Sequence, residues 1–468
     1  MNYDYDLVII GQRPAAIAAA ELAATWGARV ALVMSPDRSP DTVATAHLAI
    51  AGIDLIRGVY QFVPRFRRRR RSVIIGMGLR NSVDQMDLQI HEPERNHRSR
   101  ILRSRRYVLA PDARATVPQC SGLDRTPHVL IGNRTDIRRW LAQLDDQAID
   151  EQPRRAIVYG GRSLVSLELA MMLLDSGLET RLITADSALL ASEGDTETDA
   201  ASLIRIWQLQ AIANGLNCEL NQAIVNVQPL GRELVVQTKT EKFTTDVLLI
   251  ADRLMPDLDR RNLQTCGLTF SGEHLWVDRG LRTSHPQIYA CAAALRGHDA
   301  ESIATHEALI ATRNTLTPWI AQAPNYRAIS WGIVARFGLA RVGLNLEQAK
   351  GLHSDAIAID LSVQAPTGHD QLPRRDHNSP IAAQVVLSAA GTILGATIIG
   401  DRAADLIVPF SWMIGQSASI DDWQTGSGLD SIAGVLSDQL YQTWRDRWWQ
   451  SHPGWRDRVR SWFDDQRG

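Results

Sequence analysis

Two short turns hold the residues best placed for chemistry. Gly11, Pro14 and Ala16 follow an apolar run that ends at Ile10, and Gly161, Ser163, Ser166 and Glu168 follow another that ends at Tyr159. Glycines in a Gly-x-Gly-x-x-Gly pattern let the backbone approach a diphosphate and let the next helix pack on the strand, which is how a dinucleotide is held. At the first turn the three places read Gly11, Arg13 and Ala16. Ala16 is an accepted substitute, whereas Arg13 puts a long side chain where phosphates would lie. The acid that should end the second strand and hold a ribose hydroxyl is Met34. At the second turn the places read Gly161, Ser163 and Ser166, with Thr184 at the strand end. Ser163 is small enough for close approach, so a nicotinamide nucleotide stays open there, and nothing separates NAD from NADP. The four cysteines, Cys120, Cys218, Cys266 and Cys291, form no close pair. Buried free thiols are expected, with neither a disulfide framework nor a metal site.

The elements that would position these turns are legible. VIIGQRPAAIAAAELAATWGARVALVM, from Val8, reads as strand, turn, alanine-rich helix and strand, with the strands at Leu7 to Ile10 and Arg29 to Val33. RRAIVYGGRSLVSLELAMMLLDSGLETRLITADSALL, from Arg154, repeats that order, so two nucleotide-type folds are expected. Further strands read at Phe243 to Leu258 and Leu275 to Leu295, then a helix around Ile303 to Leu316, and from Arg327 an α+β domain. The whole is α/β. With 468 residues, 45% hydrophobic, and a net charge of -2, the chain suggests about three soluble domains and no global bias toward nucleic acid. No apolar run reaches a membrane span, the first residues do not read as a signal peptide, and the cysteine usage points to a reducing cytoplasm. Between Arg65 and Arg106 stand thirteen arginines against four acids, with Arg67 to Arg71 consecutive. Such a cluster is either a solvated edge protected from strand pairing or a contact for an anionic surface or protein partner. Sparse aromatics there argue against a base-stacking platform and so against nucleic acid as the partner.

The pieces YDLVIIG, RTSHPQIYA, THEALIATRN, RVGLNLEQAK and GTILGATIIGDRAADLI, in this order from Tyr5 to Asp422, resemble the pyridine nucleotide-disulfide oxidoreductases, the flavoproteins with two dinucleotide-binding domains. The resemblance implies two Rossmann-like domains, an FAD-type domain (1-145 and 253-325) split around an NAD(P)-type domain (146-252), then a C-terminal α+β dimerisation domain (326-440) and a homodimer. It also implies electrons passing from NAD(P)H through FAD to a Cys-x4-Cys pair near Asp41 to Ala51, where SPDTVATAHLAI has no cysteine. The family's C-terminal His-Pro and following Glu fall on Asp430, Ser431 and Val435, and His452-Pro453 lies 22 residues late. Its Ala-Thr-Gly turns read Ala110-Pro111-Asp112 and Ala251-Asp252-Arg253, and its flavin-holding Gly-Asp reads Ala292-Ala293. Disulfide reduction is therefore expected to be absent and tight FAD binding lost. A non-catalytic binding or scaffold protein follows, the alternative being an FAD- and NAD(P)H-dependent oxidoreductase of non-disulfide type.

Beyond the resemblance lies a tail, 441-468, rich in tryptophan and arginine. Helical spacing puts Leu440, Trp444 and Trp448 on one stripe and Trp455, Val459, Trp462 and Phe463 on another. Such stripes either fold onto the preceding domain or dock on a protein or an anionic membrane surface, attaching the chain peripherally. Docking of Trp444 to Phe463 is the reading preferred here.

Overall fold

A computed structural model describes residues 3–35, 48, 51–65, 85–92, 98–123, 128–131, 134–144, 153–190, 198–252, 254–296, 300–363, 381–423 and 431–467. Arg67 to Arg71, Arg253, Asp430 and nearly all of the segment Asp41 to Ala51 lie outside the described residues. The chain divides into two compact units, one of 1–118, 131–140 and 250–324, the other of 119–130, 141–249 and 325–468.

In the first unit β1 (Tyr5–Ile10), α1 (Pro14–Thr25), β2 (Val30–Met34) and β3 (Asp54–Arg57) form the expected opening. β4 (Ser104–Leu109) lies on the other side of β1, and the strand Ile288–Ala290 lies beyond β4. The paired strands are parallel. β1 and β2 are almost wholly apolar because both faces are covered, as parallel sheets require. On one face α1 buries Ala15, Ala16, Ala19, Ala20 and Ala23. These small side chains let α1 come close to the sheet and to the helix Glu301–Leu316, whose Ala308 and Ala311 share its core. The other face is covered by an antiparallel sheet, Val59–Arg65, Gln85–Glu92 and Arg98–Leu102, which contributes Phe62, Leu88 and Ile90.

The second unit repeats the motif with β5 (Arg155–Tyr159), α2 (Leu164–Asp175) and β6 (Glu179–Ile183). Asn217–Glu219 extends the sheet beyond β6, and Val247–Ile250 flanks β5. The chain then enters a five-stranded antiparallel sheet in which Phe337–Gly343, Ile393–Asp401, Ile381–Leu387 and Ile357–Val363 are successive neighbours. Two helices end the chain, α3 (Ile432–Ser451) and α4 (Pro453–Arg467). Leu436, Leu440 and Trp444 of α3 enter the core of that sheet. This corrects the docking reading for Trp444 and the first half of the tail: its stripe completes a domain. No side chain of α4 is buried.

Candidate functional site

Gly11 stands at the end of β1 with φ of +149°, and a Cβ there would lie 2.1 Å from the Ala110 carbonyl oxygen. Only glycine fits, because β4 runs directly alongside and φ lies in a region that side chains avoid. The turn then presents Gln12 and Arg13 to the end of β4. Gln12 donates from Nε2 to Oδ2 of Asp112 at 2.7 Å. Arg13 Nε lies 3.8 Å from the other oxygen, Oδ1. Asp112 is only 8% exposed, and its Oδ1 and the Gln12 Oε1 are buried without a hydrogen-bond partner of their own. Together the three side chains form a clasp across the turn. Pro14 opens α1 at N1, where its missing N–H leaves no helical bond unmade. Ala16 is fully buried beneath Gly11.

A cavity of about 190 Å³ opens beside this clasp at the C-terminal ends of β1 and β2, lined among others by Met34, Tyr60, Asp112, Asp257 and Asp259. Ligand pockets usually measure about 300–1,000 Å³, so the space is small. Burial, with the nearby charges of Asp257 and Asp259, raises the Tyr60 phenol far above its ordinary range. It stays neutral at any working pH. Across the sheet Ala292 keeps a glycine-like φ of +57° and donates its N–H to Glu307 Oε2 at 2.8 Å. Ala293 follows it with a methyl side chain that carries no polar atom.

The second turn is also closed by its own residues. Gly161, at φ of +101°, donates its N–H to Ser166 Oγ at 2.8 Å. Ser166 Oγ donates in turn to the Ser163 carbonyl at 2.7 Å, and Ser163 Oγ caps α2 by accepting the Ser166 N–H at 3.2 Å. Arg162 clamps Asp186 through Nε at 2.6 Å and Nη2 at 2.9 Å, and these bonds hold the Asp186 carboxyl below its ordinary pKa. Leu190 donates its N–H to the Gly161 carbonyl at 2.6 Å, folding the loop after β6 back over the turn. Glu168 is 1% exposed, within α2.

The predicted site residues thus fall into two groups. Gly11, Pro14 and Ala16 meet at the first turn, and Gly161, Ser163 and Ser166 meet at the second, with Glu168 farther along α2. Reading the sequence missed Gln12 and Asp186, and took Asp112 only as a lost glycine. The signal was present as an arginine inside each turn and an acid after a neighbouring strand.

None of the four cysteines is joined in a disulfide. Burial pushes the Cys218 and Cys266 thiols up to about 11 and Cys291 well above its ordinary value. At neutral pH these three are protonated and therefore poor nucleophiles. His452 stacks on Trp448 at 4.4 Å and forms the corner between α3 and α4. Among the described residues no group of three His, Cys, Asp or Glu could hold a metal ion.

Comparison with known proteins gives this architecture a lineage. Dihydrolipoyl dehydrogenase of Bacillus subtilis (strain 168) is 24% identical over 285 residues, covering 60% of this chain and 58% of that protein. Mercuric reductase of Bacillus cereus is 21% identical over 443 residues, covering 87% of this chain and 66% of that protein. The matched part thus spans less than two thirds of these relatives. Among solved structures, the copper(II) complex of the HOCl-induced flavoprotein disulfide reductase RclA from Escherichia coli superposes with a TM-score of 0.69 at 18% identity, covering 95% of this chain and all of the other. The water-forming NADH oxidase of Lactobacillus brevis, bound to NADH, gives a TM-score of 0.64 at 14% identity, covering 95% of this chain and all of the other. At these identities the structural likeness establishes the fold. The family model for pyridine nucleotide-disulphide oxidoreductases matches residues 5–310, well over half of the chain and both nucleotide turns, and the chain therefore belongs to that family of flavoprotein oxidoreductases.

Proposed function

We propose that this chain is a non-catalytic member of its family, a homodimeric binding or scaffold protein in which the nucleotide folds serve packing. The clasp of Gln12, Asp112 and Arg13 carries the reading. A flavin dinucleotide brings a diphosphate to this turn and needs donors there, whereas Asp112 offers an acceptor of like charge, engages the Gln12 amide and lies 3.8 Å from the Arg13 guanidinium. Three further features support it. The side chain of Met34, 3% exposed, offers no carboxylate to a ribose hydroxyl, that of Ala293 offers none to a ribityl chain, and the cavity is small. On this reading the residues present do not fit FAD.

At the second turn the Gly161 carbonyl is already bonded by the Leu190 N–H, and Arg162 is already paired with Asp186, so these groups serve the turn's own packing. Disulfide reduction needs thiolate attack by sulfur, and the chain has no cysteine where the family's pair belongs. Self-association is supported by the helix Val408–Gln416, which leaves Val408 and Trp412 exposed. Four cysteines outside any disulfide suit a reducing cytoplasm.

The enzymatic test is oxidation of NADH or NADPH by the full chain with disulfides, mercuric ion or oxygen as acceptor. No turnover above the uncatalysed rate is expected. Turnover that survives replacement of all four cysteines would overturn the proposal in favour of a non-disulfide oxidoreductase.

A further inference from the structure

The last helix has a side that the fold leaves bare. Trp455, Trp462 and Phe463 of α4 are 54%, 57% and 48% exposed. With 3.6 residues per turn, these rings and Val459 share one arc of about 100°. Gln466 also falls within it; Arg456, Arg460 and Arg467 border the arc on one side and Arg458 with Asp465 on the other, while Asp457 and Asp464 occupy the opposite face. Arg456 Nε lies 3.9 Å from Asp457 Oδ1, an exposed pair of neighbours that does little to neutralise the border. The stripe is already assembled: the Trp462 and Phe463 rings are 5.0 Å apart, and the Arg458 guanidinium sits 5.6 Å from the Trp455 ring. One end is fixed by the Trp448–His452 stack and by the Trp455 N–H donating to the His452 carbonyl at 3.1 Å. α3 is in turn held by its buried leucines and Trp444.

We propose that α4 is an interfacial anchor that lies flat on an anionic lipid bilayer, with its aromatic stripe at the acyl boundary and Arg456, Arg460 and Arg467 among the headgroup phosphates. Indole rings favour that boundary, and arginine stems can lie along apolar surface while the guanidinium stays among the headgroups. The helix is suited to lie rather than to span: no helix among the described residues is long and apolar enough to cross a membrane. A second copy is the weaker occupant. Three half-exposed rings, each worth about 150–250 Å² in full, offer roughly 300 Å², and doubling that falls short of the about 1,200 Å² of a stable interface. Arginine borders both edges of the arc, Arg456, Arg460 and Arg467 on one and Arg458 on the other, which further selects an anionic surface over a neutral one. The proposal holds whether or not the chain binds flavin.

Co-sedimentation of the full chain with vesicles of phosphatidylcholine containing about a third phosphatidylglycerol tests this, with pure phosphatidylcholine vesicles as the control. Binding to the anionic vesicles is expected to exceed the control at least about tenfold and to weaken about fivefold with each of Arg456→Gln, Arg460→Gln and Arg467→Gln. Trp462→Glu should weaken binding to both vesicle types. Deleting residues 453–468 should abolish binding and leave the melting temperature unchanged, because no α4 side chain is buried. Failure to bind anionic vesicles, or binding that survives the deletion, would overturn the proposal. So would a deletion that collapses the melting temperature or converts a dimer to a monomer, which would assign α4 to the protein's own packing.

Discussion

Asp112 and Asp186 do similar work at the two turns, each drawing in an arginine that follows the turn's glycine. If the first clasp excludes flavin, Asp112→Gly combined with Arg13→Gly should raise FAD affinity at least about tenfold, the scale of one recovered charged interaction. Flavin fluorescence titration reads this, and an unchanged affinity would remove the clasp from the explanation. At the second turn the sign of the pH effect is fixed. Arg162 lowers the Asp186 pKa below 3.8, so the pair stabilises the fold above that value and loses its contribution as pH falls through the depressed pKa. Arg162→Ala should therefore cost about 1 kcal/mol or less at pH 7, given the partial exposure of both groups, and the melting difference should close under strong acid. A difference that grew with acid would contradict the pairing. Cys218, Cys266 and Cys291 should resist thiol reagents at neutral pH until the chain is unfolded, which mass spectrometry of the labelled sites reads. Arg13 and Met34 could be read as departures from the sequence alone. The bond from Gln12 to Asp112 spans 100 residues and appears only when β1 and β4 lie side by side.

The elements follow from short-range pattern, and their surroundings do not. The strand–helix–strand openings were legible because β1 and β5 are nearly continuous apolar runs, bounded by glycine turns and followed by helices rich in alanine or leucine. In the tail both aromatic stripes were legible as helix faces. Which stripe was covered was not, because Trp444 is buried by strands whose residues lie far back in the chain, and the docking reading failed for α3. Trp444→Ala should accordingly cost about 3–5 kcal/mol in chemical denaturation, as loss of a buried ring does. A cost near zero would mean that α3 is peripheral. Gly11→Ala should destabilise the first unit without any ligand, because its Cβ would strike the Ala110 carbonyl. A neutral effect would return Gly11 to a purely nucleotide-binding role.

For the molecule as a whole, family membership and the five-stranded antiparallel sheet bear on assembly, while the turns bear on chemistry. Light scattering should give the mass of a dimer. Trp412→Glu should shift it toward the monomer if the exposed face of Val408 and Trp412 forms the contact, and an unaltered dimer would place the contact elsewhere. Family chemistry depends on flavin before it depends on any substrate, so bound flavin decides the central question. The direct measurement is the visible absorption of full-length protein, purified, incubated with excess FAD and then desalted. The clasp of Gln12, Asp112 and Arg13 predicts little flavin retained per chain. A yellow protein carrying nearly one flavin per chain would contradict the account.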